Sequence, residues 1–89
     1  MTHYKEKEDI LKRMIWAIVM PKYPDIEDVS IESMFFMGMR RYGVLVLVKD
    51  TTRYSIQKKI GDEIETLFKM AALNEKQING RDYIDVSFA

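Results

Sequence analysis

The chain has 89 residues, 47% of them hydrophobic and 31% charged, which fits one small domain with a thin core and excludes a disordered tail. Its 14 basic and 14 acidic residues cancel, so the surface as a whole does not suit nucleic acid or anionic lipid, although a local patch still could. The absence of cysteine excludes disulfides and thiolate zinc sites.

Residues 5–20 predict a helix, because apolar residues recur there at helical spacing. Glu6 and Glu8 lie in its early turns, where carboxylates favour the helix dipole, and Pro21 and Pro24 end it. We expect residues 1–4 to be frayed. The predicted apolar stripe consists of Ile10, Leu11, Met14, Ile15, Ile18 and Val19.

Two strands are predicted next, over residues 28–39 and 44–48, joined by a hairpin turn at the Arg-Arg-Tyr-Gly segment of residues 40–43. This turn pairs Met39 with Val44. Side chains in a strand point to the two faces in turn, so the pairing assigns alternate residues of both strands to one core face. The predicted core-face residues are Val29, Ile31, Phe35, Met37, Met39, Val44, Val46 and Val48.

Residues 53–72 predict a second helix with a continuous apolar stripe, and residues 83–88 alternate as a third strand with one buried face. Between them, Asn79-Gly80 is a turn signal, and residues 75–78 can form a short extra helix. The third strand either returns parallel to the second strand or lies beside the first.

These elements predict an α+β fold. The chain forms a single two-layer domain over residues 1–89, with the order α-β-β-α-β. Two helices accompany a three-stranded mixed sheet.

The predicted hairpin has a second apolar face opposite the core. If both helices pack on the core face, the second face requires another molecule, since large exposed apolar patches usually mark interaction sites. If each helix takes one face, the second face is covered within the chain. The predicted interface residues are Met34, Phe36, Gly38, Leu45 and Leu47.

Trp16 is a further candidate for that interface. It lies among charged residues on the polar side of the first helix, where an aromatic side chain can anchor a partner. Alternatively, the buried side of the helix is broad enough to include Trp16, and the residue then belongs to the core.

The sequence contains few side chains that could act in catalysis. His3 is the only histidine, so neither a Ser-His-Asp nor a Cys-His arrangement can be built, and His or Cys metal sites lack members. The carboxylates are expected to be solvated, and no phosphate-binding glycine loop is present. We therefore predict that the chain is not an enzyme and has no catalytic residues, cofactor or metal.

Basic residues cluster at the predicted turn and the start of the second helix. Arginines beside a tyrosine suit phosphate contacts and base stacking. The same pattern also arises where charged residues flank apolar strands and oppose their aggregation. The candidate nucleic-acid contacts are Arg40, Arg41, Tyr42, Arg53, Lys58 and Lys59.

The element order over residues 5–88 resembles the type II KH arrangement found in some RNA-binding and ribosome-associated proteins. The resemblance implies an RNA-binding module. The GXXG loop with which KH domains clamp nucleotides is absent, since residues 71–75 read Ala-Ala-Leu-Asn-Glu at the corresponding step.

The main prediction is a non-catalytic protein–protein interaction or assembly module that self-associates through the second sheet face, as a homodimer or with a protein partner. The alternative is a KH-like RNA-binding or ribosome-associated module. We expect a cytoplasmic protein with no membrane partner. The first eight residues lack the apolar segment of a signal peptide, and the longest apolar stretch, residues 14–20, is too short to cross a bilayer.

Overall fold

The computed structural model describes residues 3–73 and 82–89. Its element order confirms the predicted α-β-β-α-β arrangement. The suggested short helix at 75–78 and the turn at 79–80 lie outside the described residues. The elements are helix α1 (His3–Met14), which continues through a π-helical turn (Ile15–Val19) and a 3-10 turn (Met20–Lys22), strand β1 (Ile26–Phe36), strand β2 (Met39–Val48), helix α2 (Tyr54–Leu73) and strand β3 (Tyr83–Phe88).

The three strands form one mixed sheet in the order β1-β2-β3. β1 runs antiparallel to β2, and β3 runs parallel to β2. Of the two placements that the sequence left open, the third strand therefore takes the one beside the second strand.

The hairpin turn lies earlier in the chain than predicted. Met37 and Gly38 form a two-residue turn with φ of 52° and 75°, so Phe36 pairs with Met39 and Ile31 with Val44. The predicted turn over residues 40–43 and its pairing of Met39 with Val44 are wrong. A two-residue turn with positive φ at both positions matches the strand twist, and it adds residues 39–43 to the ladder.

The predicted assignment of strand residues to the two sheet faces is still correct, because the observed register differs from the predicted one by an even number of residues. Val29, Val44 and Val46 lie on one face and are almost fully buried. On the same face, the Ser33 hydroxyl donates a hydrogen bond to the Glu8 carboxylate of α1.

Both helices pack on that valine face. Buried residues of α1 with its π-helical turn, of α2, and of β1 and β2 form one hydrophobic cluster, and the alternate residues of β3 pack against it. The core therefore lies between one layer of helices and one layer of strands. Its buried members are Leu11, Ile15, Val19, Ile26, Val29, Val44, Val46, Val48, Ile60, Ile64 and Leu67.

Tyr42 closes the core at the end nearest the hairpin turn. It is 1% exposed, and its ring centroid lies 5.3 Å from that of Phe68 on α2. Burial raises the pKa of the Tyr42 phenol, and the nearby cations of Arg40 and Lys7 oppose that rise. Lys7 Nζ in turn lies 3.2 Å from a carboxylate oxygen of Asp82, so this ion pair links α1 to the residue that precedes β3.

The opposite end of the core is closed by the segment after α1. Lys22 Nζ lies 2.8 Å from Glu63 Oε1 on α2, and this ammonium group lowers the pKa of Glu63. The backbone amide of Lys49 donates to the Asp25 carbonyl at 3.0 Å, which fixes the entry to β1 beside the exit from β2.

We expect Met37→Asn to stabilise the domain. A non-glycine residue at positive φ is strained, and asparagine tolerates that conformation far better than methionine. Asn-Gly is also a preferred pair for this turn. The free energy of unfolding should rise by about 0.5–1 kcal/mol, a part of the strain of about 1–2 kcal/mol that the left-handed conformation imposes on an ordinary residue, as measured by urea unfolding. Met37→Val, which is β-branched, should lower it, and a loss of stability in the asparagine variant would contradict the turn assignment.

Glu63→Gln should destabilise the domain in a pH-dependent way. The native-state pKa of Glu63 is lowered from 4.5, so the Lys22 contact stabilises the fold fully above about pH 6 and is lost as the pH falls below 4.5. Urea unfolding should show a deficit of about 0.2–1 kcal/mol at neutral pH that disappears in acid. Glu65→Gln, on the exposed side of the same helix, is the control, and a deficit that persists at low pH would assign the effect to something other than this pair.

Candidate interaction surface

The sheet face turned away from the helices, the open face, is covered by no element within residues 3–73 and 82–89. Leu45 and Leu47 lie on it at the centre of the sheet, with 37% and 38% of their surface exposed. Their cross-strand neighbours on β1 are Ser30 and Asp28. Two adjacent leucines on the solvent side of a central strand are unusual, because that side of an antiparallel hairpin is normally polar.

Polar side chains border the two leucines. Asp28, Ser30 and Glu32 lie on the β1 side and are exposed. On the β3 side, Asp85 lies 3.4 Å from the Arg41 guanidinium, and both side chains are largely exposed. The open face is therefore a short apolar stripe with a rim that carries charges of both signs.

The predicted apolar surface is divided in two by the observed register. The predicted pairing set Phe36 opposite Leu47 and Gly38 opposite Leu45, whereas the structure sets Asp28 and Ser30 there. Gly38 is part of the turn. The backbone of Phe36 is described at the end of β1, but its side chain lies outside the description.

The second apolar region is at the turn, and we call it the hairpin tip, residues 34–39. Met34, Phe35 and Met37 are exposed by 61%, 62% and 80%. The sequence analysis assigned Phe35 and Met37 to the core face and so did not predict their exposure. The signal was present in the sequence, since Gly38 can supply a positive φ in a two-residue turn between apolar strands.

Trp16 does not belong to the open face. It lies on the outer side of the π-helical turn, 48% exposed, and the helix that carries it packs on the other side of the sheet. Asp9, Lys12 and Arg13 surround it in a shallow surface depression. The structure thus separates Trp16 from Leu45 and Leu47.

The predicted nucleic-acid contacts are not brought together either. Tyr42 is buried against Phe68 rather than displayed at the turn. Arg40 and Arg41 lie at the start of β2, whereas Arg53 follows its other end. The strand runs roughly 23 Å from Arg41 to Val48. Lys58 and Lys59 are exposed on α2, which begins at that far end.

Within residues 3–73 and 82–89, no three His, Asp or Glu side chains lie close enough together to hold a metal ion. The helices in this part of the chain also fall short of the length and hydrophobicity that a membrane-crossing segment needs.

Comparisons with known proteins identify a structural relative. No protein-family model matches the chain, and no curated protein matches its sequence. Among solved structures, the chain is similar to the C-terminal domain of the magnetosome protein MamB from Desulfamplus magnetovallimortis BW-1. The TM-score is 0.67 at 14% sequence identity, over 94% of this chain and 91% of that one. The likeness establishes a shared fold.

Proposed function

We propose that this domain is a non-catalytic assembly module that self-associates through the open face of its sheet. The observation that carries the proposal is the position of Leu45 and Leu47, which lie at the centre of a face that neither helix covers. The similarity to a domain of a magnetosome protein is compatible with a role in assembly.

The charges around the open face favour a second copy of the chain as the partner. The rim carries the acidic Asp28 and Glu32 on β1 and the basic Arg41 on β2, so a two-fold arrangement can place acid opposite base. The chain also carries no net charge, so two copies do not repel each other as a whole.

The expected affinity is modest. Leu45 and Leu47 are already more than half covered by their neighbours, so burying the remaining surface contributes about 1 kcal/mol or less for each side chain. The rim and the backbone between the leucines must supply the rest. We therefore expect a dimer with a dissociation constant in the micromolar range.

Leu47→Lys should separate self-association from folding. The new ammonium group would lie opposite Asp28, and such a cross-strand pair supports the monomer by about 0.2–1 kcal/mol. In a dimer the same charge would be buried, so we expect self-association to weaken at least about ten-fold. Sedimentation equilibrium measures the mass, and urea unfolding confirms the fold.

Met70→Lys is the matched control. Met70 is 53% exposed in the last turn of α2, where a cation suits the helix dipole, and it lies in the helical layer. This variant should form the same dimer as the native chain. A native chain that remains monomeric at about 100 μM would refute the proposal, because the expected affinity populates the dimer there. A dimer that survives Leu47→Lys would place the interface elsewhere.

A further inference from the structure

The hairpin tip is apolar on both sides of the sheet. Met34 lies on the open face and Phe35 on the opposite face, and each is more than 60% exposed. Met37 at the turn is the most exposed large hydrophobic residue in the described part of the chain. The tip segment, residues 34–39, contains no polar side chain.

The tip projects beyond the rest of the sheet. β3 begins where Tyr83 pairs with Arg41, and within residues 3–73 and 82–89 only β1 and β2 continue from there to the turn. Two further residues on each strand, Arg40 among them, and then the two-residue turn extend past that point, which at about 3.3 Å for each step carries the tip about 10 Å beyond it. The tip is therefore a narrow, convex wedge.

Basic and aromatic side chains mark the base of the wedge. Arg40 and Arg41 follow the tip directly in β2, and no acidic residue occurs in the sequence between Glu32 and Asp50. The Arg41 contact with Asp85 is an exposed ion pair, which an anionic group can replace at small cost. Tyr83, 50% exposed, lies next to Arg41 on β3.

We propose that the hairpin tip inserts into the surface of an anionic lipid bilayer. An apolar wedge of about 10 Å matches the depth to which interfacial segments enter the boundary between headgroups and acyl chains. Arginine and tyrosine at its base would then lie at headgroup level, where both residue types are favoured. Such insertion departs from the expectation of no membrane partner, which rested on the zero net charge and on the lack of a spanning segment and which left a local patch open.

A protein pocket is the competing occupant, and the shape of the tip disfavours it. A docking patch for a protein is usually one face of an element, whereas this tip exposes large apolar side chains to opposite sides. A lipid phase surrounds an inserted wedge on all sides, so it covers Met34 and Phe35 together.

The first test is flotation with vesicles made of equal parts of phosphatidylcholine and phosphatidylglycerol, compared with vesicles of phosphatidylcholine alone. We expect the native chain to float with the anionic vesicles and to bind neutral ones at least about five-fold more weakly. No binding to anionic vesicles would overturn the proposal.

The second test removes the apolar tip without harming the fold. Phe35→Thr retains a good strand residue, and Met37→Asn provides a preferred turn residue, so the double variant should remain folded. Its vesicle binding should fall at least about ten-fold. Met70→Gln removes an equivalent exposed side chain from α2 and should bind like the native chain.

Two results of this comparison would overturn the inference. Vesicle binding that the double variant retains in full would show that another surface contacts lipid. The second result is a native chain that does not bind vesicles but forms a dimer, together with a double variant that stays monomeric. That result would identify the tip as a protein contact.

A tryptophan at the tip reports insertion directly. Trp16 is the only tryptophan, so Trp16→Phe combined with Phe35→Trp leaves a single indole in the wedge. On anionic vesicles its emission should shift to shorter wavelength and be quenched by lipids brominated in the acyl chains. Emission that stays unchanged while the protein is bound would contradict insertion.

Discussion

The number of layers is the constraint on which the rest of the structure depends. Both helices pack on the valine face of a three-stranded sheet, because a single continuous core needs the apolar stripes of α1 and α2 to meet the same strands. Because α1 and α2 both pack on the valine face, neither helix covers the other face. Two leucines lie on that other face with more than a third of their surface exposed.

The fold could be predicted from the sequence because its signals are redundant. Helical spacing in α1 and α2, alternation in β3 and the prolines after α1 each indicate their element independently. The assignment of Val29 and Val44 to the core face also holds, since any even shift of register preserves it.

The position of the turn could not be predicted by the same reasoning. Residues 34–48 are apolar enough to pair in several registers, and Gly38 and Gly43 both offer a turn. In the observed register Tyr42 lies in the core and packs against Phe68, from a helix some twenty-five residues later in the chain. Such a long-range contact leaves no local pattern. Because of this error, Phe35 and Met37 were assigned to the core, although they lie at the hairpin tip. The tip and the open face, which are separate apolar regions, were predicted as one surface.

The two-residue turn also bears on the order in which the domain assembles. β1 and β2 are consecutive, so their ladder can grow from the turn by contacts between near neighbours in the chain. The parallel ladder joins residues about forty positions apart, such as Tyr42 and Ile84, and requires α2 to be in place between them. The third strand is thus the last to join, and pulsed hydrogen exchange during refolding should find its amides protected after those of the hairpin.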